Sequence, residues 1–287
     1  MSKMIDISGQ KFGFLLSVER AGIDKGGNVL WRCICDCGRE TNVLANNLKR
    51  GTTKSCGSRI HPRKPRQQRV FDETSITKDF EEIFDGLMLG DGSLRKSPRS
   101  RNACFTYRGK HRSVALKYKI VFEANGFTFP PSNPRHILTE RCDGWEIGSR
   151  IHGFFTKQYN RWYPQGKKII PKDLIISPLT VKHWYYGDGG LAYHHHLTRR
   201  VKFATNGFAI NEAKWLAEKV NLVLGICSQI GLNNEQPILL VYKKDFDNLF
   251  SYIGPCDIPC YQYKWIVDDR PLYNYYKNNC PCVEITN

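Results

Sequence analysis

The strongest constraint on this chain is a duplication. FDGLMLGDGSL (Phe84 to Leu94) and HWYYGDGGL (His183 to Leu191) each run from helical sequence into Gly-Asp-Gly, with 97 residues between Asp91 and Asp188. The first of these helices defies its local preferences. Thr77 is a good N-cap, Asp79 and Glu81 suit the first turn, and Phe80, Ile83, Phe84 and Leu87 keep helical spacing. Gly86 and Gly90 then each cost about 1 kcal/mol relative to Ala, and Asp91 sits at the end where the helix dipole favours cations.

Gly86 and Gly90 lie one turn apart on one face, where small residues let a second helix backbone come close. If the helices ending at Asp91 and Asp188 pack in parallel, their carboxylates emerge side by side. A divalent cation relieves the repulsion between them. Oxygen ligands suit Mg²⁺, which activates water and stabilises a leaving oxygen in phosphodiester cleavage. Taken singly, either GDG reads as a glycine-rich helix stop; the duplicated frame on a basic chain favours a site.

The flanking segments repeat in the same order. After Asp91 come strand-like NACFTYRG (Asn102 to Gly109), helical RSVALKYKIVFEANG closing on Gly126, and a hairpin candidate, ILTERCDGWEIGS, with Asp143-Gly144 as its turn signal. Helical IHGFFTKQYNRWY follows. After Asp188 come strand-like VKFATNGF, helical NEAKWLAEKVNLVLG, strand-like PILLVYK and helical DFDNLFSYI. This predicts an α+β domain with a pseudo-twofold axis, one repeat over 76–175 and the other over 176–287. Residues 1–58 read as a separate Cys-rich module and 59–75 as a basic, Pro-containing linker.

The net charge of +16 narrows the partner. Residues 1–70 hold 14 Lys and Arg against 5 Asp and Glu, and between Ser93 and Phe122 nine basic residues meet no acid. Interleaved with Phe105, Tyr107 and Tyr118, this pattern suits nucleic acid better than an anionic membrane. No apolar run is long enough to span a bilayer, and the N-terminus carries no secretory signal. The expected setting is intracellular: the cytoplasm or nucleoid of a bacterial or phage-infected host, or an organelle.

IFDGLMLGDGSL and VKHWYYGDGGL resemble the paired motifs of single-chain, two-repeat LAGLIDADG homing endonucleases. WYPQGKKIIPKDLIISPLTVKHWYYGDGG, KFATNGFAINEAKWL and YIGPCDIPCYQYKW extend the resemblance over roughly residues 76–267. It implies two αββαββα repeats whose antiparallel sheets form a saddle on DNA, and Mg²⁺-dependent double-strand cleavage leaving short 3′ overhangs by a monomer. On it, Asp91 and Asp188 are the metal-binding acids around two or three ions. The carbonyls of Gly90 and Gly187 also face the metals, while Lys168 and Lys264 stand near the scissile phosphates. The implied DNA contacts are Arg95, Arg101, Tyr107, Arg108, Lys110, Arg141, Arg199, Arg200 and Lys202, with Arg63, Lys64 and Arg66 from the linker.

Two other functions use the same fold: an intron-RNA maturase, and a regulator that binds DNA without cutting it. Retention of both acids counts against the latter. The second motif departs from the family in having Tyr186-Gly187 before its acid and Lys182 or His183 where a small residue is usual. A less close-packed second half follows.

Cys33, Cys35, Cys37 and Cys56 are candidate Zn²⁺ ligands in a unit too small for its own core. The block from Gly9 to Gly57 resembles a small Cys-rich module of phage and bacterial mobile-element proteins, with Ser58 in place of its last Cys. That replacement leaves three alternatives: four Cys ligands, three Cys with His61, or no metal. His194, His195 and His196 read as a solvated or DNA-facing loop, and Cys256, Cys260, Cys280 and Cys282 as free thiols.

Overall fold

The computed structural model describes residues 6–58, 61, 76–140, 142–194 and 198–279, except the side chains of 142, 193, 194 and 198. Two compact units divide the chain, Met1–Val70 and Phe71–Asn287.

The first unit is an antiparallel meander: β1 (Lys11–Phe12), β2 (Leu15–Ile23), β3 (Val29–Cys35) and β4 (Glu40–Leu44), followed by the short helix α1 (Ala45–Lys49). Strand alternation sends Leu15, Trp31, Cys33, Cys35 and Val43 inward, where Ile7 and Leu48 complete a small core, so the unit has a core of its own, contrary to the sequence expectation.

The second unit shows the duplication in three dimensions. Its first half runs α2 (Lys78–Leu89), β5 (Gly92–Arg95), β6 (Cys104–Gly109), α3 (Arg112–Ala124), β7 (Arg135–Thr139), β8 (Cys142–Gly148) and α4 (Gly153–Trp162). The second runs α5 (Pro178–Asp188), β9 (Gly189–His194), β10 (Thr198–Ala204), α6 (Ile210–Leu224), β11 (Gln229–Asn233), β12 (Gln236–Tyr242) and α7 (Phe246–Ile253). The sheet orders β5-β6-β8-β7 and β9-β10-β12-β11 match under the repeat, and all pairings are antiparallel. Thr77 caps α2 by accepting from the Phe80 amide, and Gly126 takes the left-handed conformation after α3.

α2 and α5 pack against each other at the middle of one continuous core. Gly86 is the reason they can. A Cβ there would lie 2.5 Å from the Thr180 carbonyl oxygen and 2.8 Å from His183 Cβ. The Thr180 hydroxyl donates to the Glu82 carbonyl at 3.1 Å. His183 turns its ring aside to Tyr118, whose hydroxyl lies 2.9 Å from Nδ1. Lys182 reaches outward to the Pro255 carbonyl. The room at this contact comes from Gly86 of α2, with His183 facing it from α5.

Three further local readings differ. In the β7–β8 hairpin Thr139 pairs with Cys142 and Leu138 with Asp143, so Asp143-Gly144 lies within β8 and is not its turn. The β11–β12 hairpin turns on Asn234 and Glu235, both at positive φ, without the glycine that usually announces such a turn. A last helix, α8 (Arg270–Asn278), follows a 3₁₀ segment (Pro259–Trp265) and is capped by Asp269. Cys260 is disulfide-bonded, correcting the free-thiol reading, whereas Cys256 is free. Cys280, Cys282, His195 and His196 lie outside the described residues, as does the side chain of His194. Among the described residues, no helix is long and apolar enough to cross a membrane.

Candidate nuclease and metal sites

The two GDG ends meet. α2 stops at Leu89, with Gly90 as its C-cap and Asp91 next, while α5 runs on to Asp188. A Cβ on Gly90 would sit 3.6 Å from the Asp188 nitrogen and the Gly187 Cα; one on Gly187 would sit 3.2 Å from the Asp91 nitrogen and Oδ2. Gly187 is the tight position, where the missing side chain makes room for Asp91; at Gly90 a Cβ would meet ordinary contact distances.

Two lysines complete the cluster. Lys168 donates to the Gly92 carbonyl at 3.0 Å. Lys264, 5% exposed, donates to the carbonyls of Tyr185, Tyr186 and Gly189 at 3.1, 2.6 and 2.7 Å, and lies 3.4 Å from that of Gly187. It thereby caps the end of α5, joining the Gly189 amide on the Tyr185 carbonyl.

The electrostatics reflect burial first. Burial raises the Asp91 carboxyl to about 6 against the pull of Lys264 and Lys168. Burial raises Asp188 to about 7, Asp91 adds to the rise, and the lysines oppose it. Lys168 and Lys264 are each lowered to about 8 by burial, with both aspartates opposing. Four desolvated ionisable groups thus share one place, and two carboxylates there offer hard oxygen ligands to a divalent cation.

The expected DNA contacts fall into three groups. Arg95, Arg101, Arg108 and Lys110 are exposed around β5 and β6, and Arg199, Arg200 and Lys202 lie half-buried on β10. Arg199 pairs with Asp268, and Arg200 lies over the Tyr242 ring at 4.9 Å. Tyr107 is no contact: it is 1% exposed and packs edge-on against Tyr118, because alternation puts it on the inner face of β6 with Phe105. Arg63, Lys64, Arg66 and Arg141 lie outside the described residues.

Sequence reading missed Glu146, which accepts from Arg108 Nε at 2.5 Å and from Arg135 Nε at 2.9 Å. Burial would raise its carboxyl, but the two arginines hold it below the usual range. Correct placement of the β7–β8 turn would have revealed the trio, since Glu146 stands opposite Arg108 on one side and Arg135 on the other.

In the first unit, Cys35, Cys37, Cys56 and His61 present donor atoms all within 4.8 Å of one another. Cys35 Sγ lies 3.0 Å from His61 Nε2, and Cys37 Sγ lies 3.4 Å from Cys56 Sγ. Tetrahedral Zn²⁺ with bonds of about 2.1–2.3 Å sets its donors roughly 3.5 Å apart, so the set fits. Cys33 is excluded: it is wholly buried, and its thiol faces the Trp31 carbonyl in the core.

Residues 81–249 match the model of the LAGLIDADG DNA endonuclease family. A protein of Wickerhamomyces canadensis named a probable intron-encoded endonuclease is 25% identical over 67% of this chain and 85% of its own. A cytochrome b mRNA maturase of Debaryomyces hansenii is 25% identical over 66% of this chain and 74% of its own. Among solved structures, the homing endonuclease I-WcaI bound to its DNA recognition sequence superposes with a TM-score of 0.61, at 22% identity over 69% of this chain and 91% of that one. The matched segment spans more than half of the chain and contains both GDG motifs: the protein belongs to the LAGLIDADG DNA endonuclease family.

Proposed function

We propose that this chain is a site-specific endonuclease that cuts both strands of duplex DNA and leaves short 3′ overhangs. One observation carries the reading: the duplicated helix ends place two desolvated carboxylates, Asp91 and Asp188, together with two buried ammonium groups. Bound there, Mg²⁺ would neutralise the acids and supply Lewis-acid stabilisation of the charge that builds on the phosphodiester oxygens.

The chain's own groups do the rest. Asp91 and Asp188 come from different repeats, so one monomer addresses both strands, and we assign the Gly90 and Gly187 carbonyls as further ligands. Lys168 and Lys264, lowered only to about 8, remain largely protonated at neutral pH. They act as fixed positive charge beside the phosphate rather than as general bases. Basic side chains on the two sheets hold the duplex, giving binding a steep salt dependence.

In the first unit we assign Zn²⁺ to Cys35, Cys37, Cys56 and His61, a closed structural site that fixes a small fold with little core.

The test is cleavage of a randomised duplex library by the full chain with Mg²⁺, and with EDTA as control. Recovery of one cut sequence only with Mg²⁺ is expected. Tight binding to structured RNA with no DNA cut would instead favour the maturase reading, which the similarity to the Debaryomyces hansenii protein supports.

A further inference from the structure

We propose that Glu146 is a specificity-determining residue that positions Arg108 to read a guanine in the half-site held by the β5–β8 sheet. The inference rests on the DNA-binding part of the function proposed above.

Phe105, Tyr107 and Ile147 point into the core. Alternation therefore puts Arg108, Glu146 and Arg135 on the opposite, open face, and cross-strand register sets them side by side. The side chains of Arg108 and Arg135 are 49% and 59% exposed, while that of Glu146 is 4% exposed. The acid is roofed by the two guanidiniums.

A carboxylate on a surface that faces phosphates lowers non-specific affinity. Its compensation here is orientation. Arg108 gives Glu146 only Nε, so the distal edge of its guanidinium, Nη1 and Nη2, is not taken up by the carboxylate. That edge matches O6 and N7 of guanine in the major groove. Arg135 spends both Nε and Nη2 on the other carboxylate oxygen and fixes the acid from its far side. An arginine already held in one rotamer loses less freedom on binding. The second sheet holds Arg200 differently: it lies over the Tyr242 ring, whose hydroxyl donates to Gln229 Oε1 at 2.7 Å. Among the described residues, the buried carboxylate shared by two arginines is found on the first sheet, whereas Arg199 on the second pairs with an exposed acid, Asp268.

The experiment is binding selection from a randomised duplex pool with the full chain, in EDTA so that nothing is cut. Wild type should enrich a guanine at a fixed position in one half of its site. Glu146→Gln should lose that preference by roughly 10-fold or more, keep the rest of the site, and bind the unselected pool more tightly because one negative charge is gone. Arg108→Gln should lose the same position. The clamp is overturned if Glu146→Gln selects the same guanine with the same strength. It is equally overturned if preference falls across the whole site together with melting temperature, which marks a structural role. A wild type that enriches no sequence sinks both this inference and the function it rests on. A wild type that selects a guanine-bearing site but cuts none with Mg²⁺ sinks only the cleavage reading.

Discussion

Gly187 abuts Asp91: the glycine of one motif makes room for the acid of the other. A Cβ on Gly187 would stand 3.2 Å from Asp91 Oδ2 and from the Asp91 nitrogen. Gly187→Ala should therefore displace the Asp91 carboxylate by a few tenths of an ångström while the helices stay packed. Single-turnover cleavage should slow by about 10-fold or more, a loss of positioning, with DNA affinity little changed. Unaltered rates on both strands would remove Gly187 from the site.

Gly86→Ala addresses the helix contact itself. The new methyl would meet a backbone carbonyl at 2.5 Å, which cannot step aside as a flexible side chain would. Overpacking of this kind costs about 1–3 kcal/mol, or roughly 2–10 °C for a domain of this size. Thermal unfolding measures it, and a melting temperature equal to wild type would contradict the close approach of α2 and α5.

Asp91→Asn and Asp188→Asn separate stability from function. Each should leave DNA binding within a few-fold and reduce cleavage by about 100-fold or more, with Asp188→Asn raising metal-free stability above pH 7 by removing a desolvated charge. Gel shift, strand-resolved cleavage and thermal melts read the three effects. Full activity of the double variant would refute the assigned roles.

The effect of Mg²⁺ on melting temperature should grow with pH. Both carboxyls rise in the fold, from an ordinary 3.8 to about 6 and about 7. Their contribution to stability is thus complete below about pH 4 and lost as pH climbs through 6 and 7. Above that range, a divalent cation replaces the missing proton. Mg²⁺ should raise the melting temperature by roughly 5 °C more at pH 8 than at pH 5. His183, lowered by burial to about 3, acts in the opposite sense between 6.5 and 3. The comparison with the Asp91→Asn, Asp188→Asn double variant isolates the carboxyls, and an equal Mg²⁺ effect in that variant would exclude them as ligands.

For the first unit, elemental analysis should find about one zinc per chain, held by three thiolates and one imidazole. His61→Ala or Cys56→Ser should release it, whereas Cys33→Ala should keep the metal and lose roughly 1–2 kcal/mol of stability through the core. Zinc loss in Cys33→Ala with retention in His61→Ala would reverse the ligand assignment.

What the sequence determined by itself was the repeat and its purpose. Periodicity marks α2 and α5, Thr77 and Gly126 mark boundaries, and two GDG ends at matching places in two similar series announce paired acids. These are local signals, carried by residue types at fixed spacing. Partners across the chain are not local. The spacing of WRCICDCG could not show that β3 sends Cys33 into the core and leaves Cys35 at its end beside His61, because strand register decides which thiols converge. The positive-φ turn at Asn234 and Glu235 lacks the usual glycine, and the β7–β8 turn precedes the Asp-Gly pair that seemed to mark it. Register again decided the fate of Tyr107 and the role of Glu146. Most of all, local propensity made Gly86 look like a weakness. Only the packed structure shows the Thr180 carbonyl opposite it, where an absent side chain lets the two helices, and with them Asp91 and Asp188, come together.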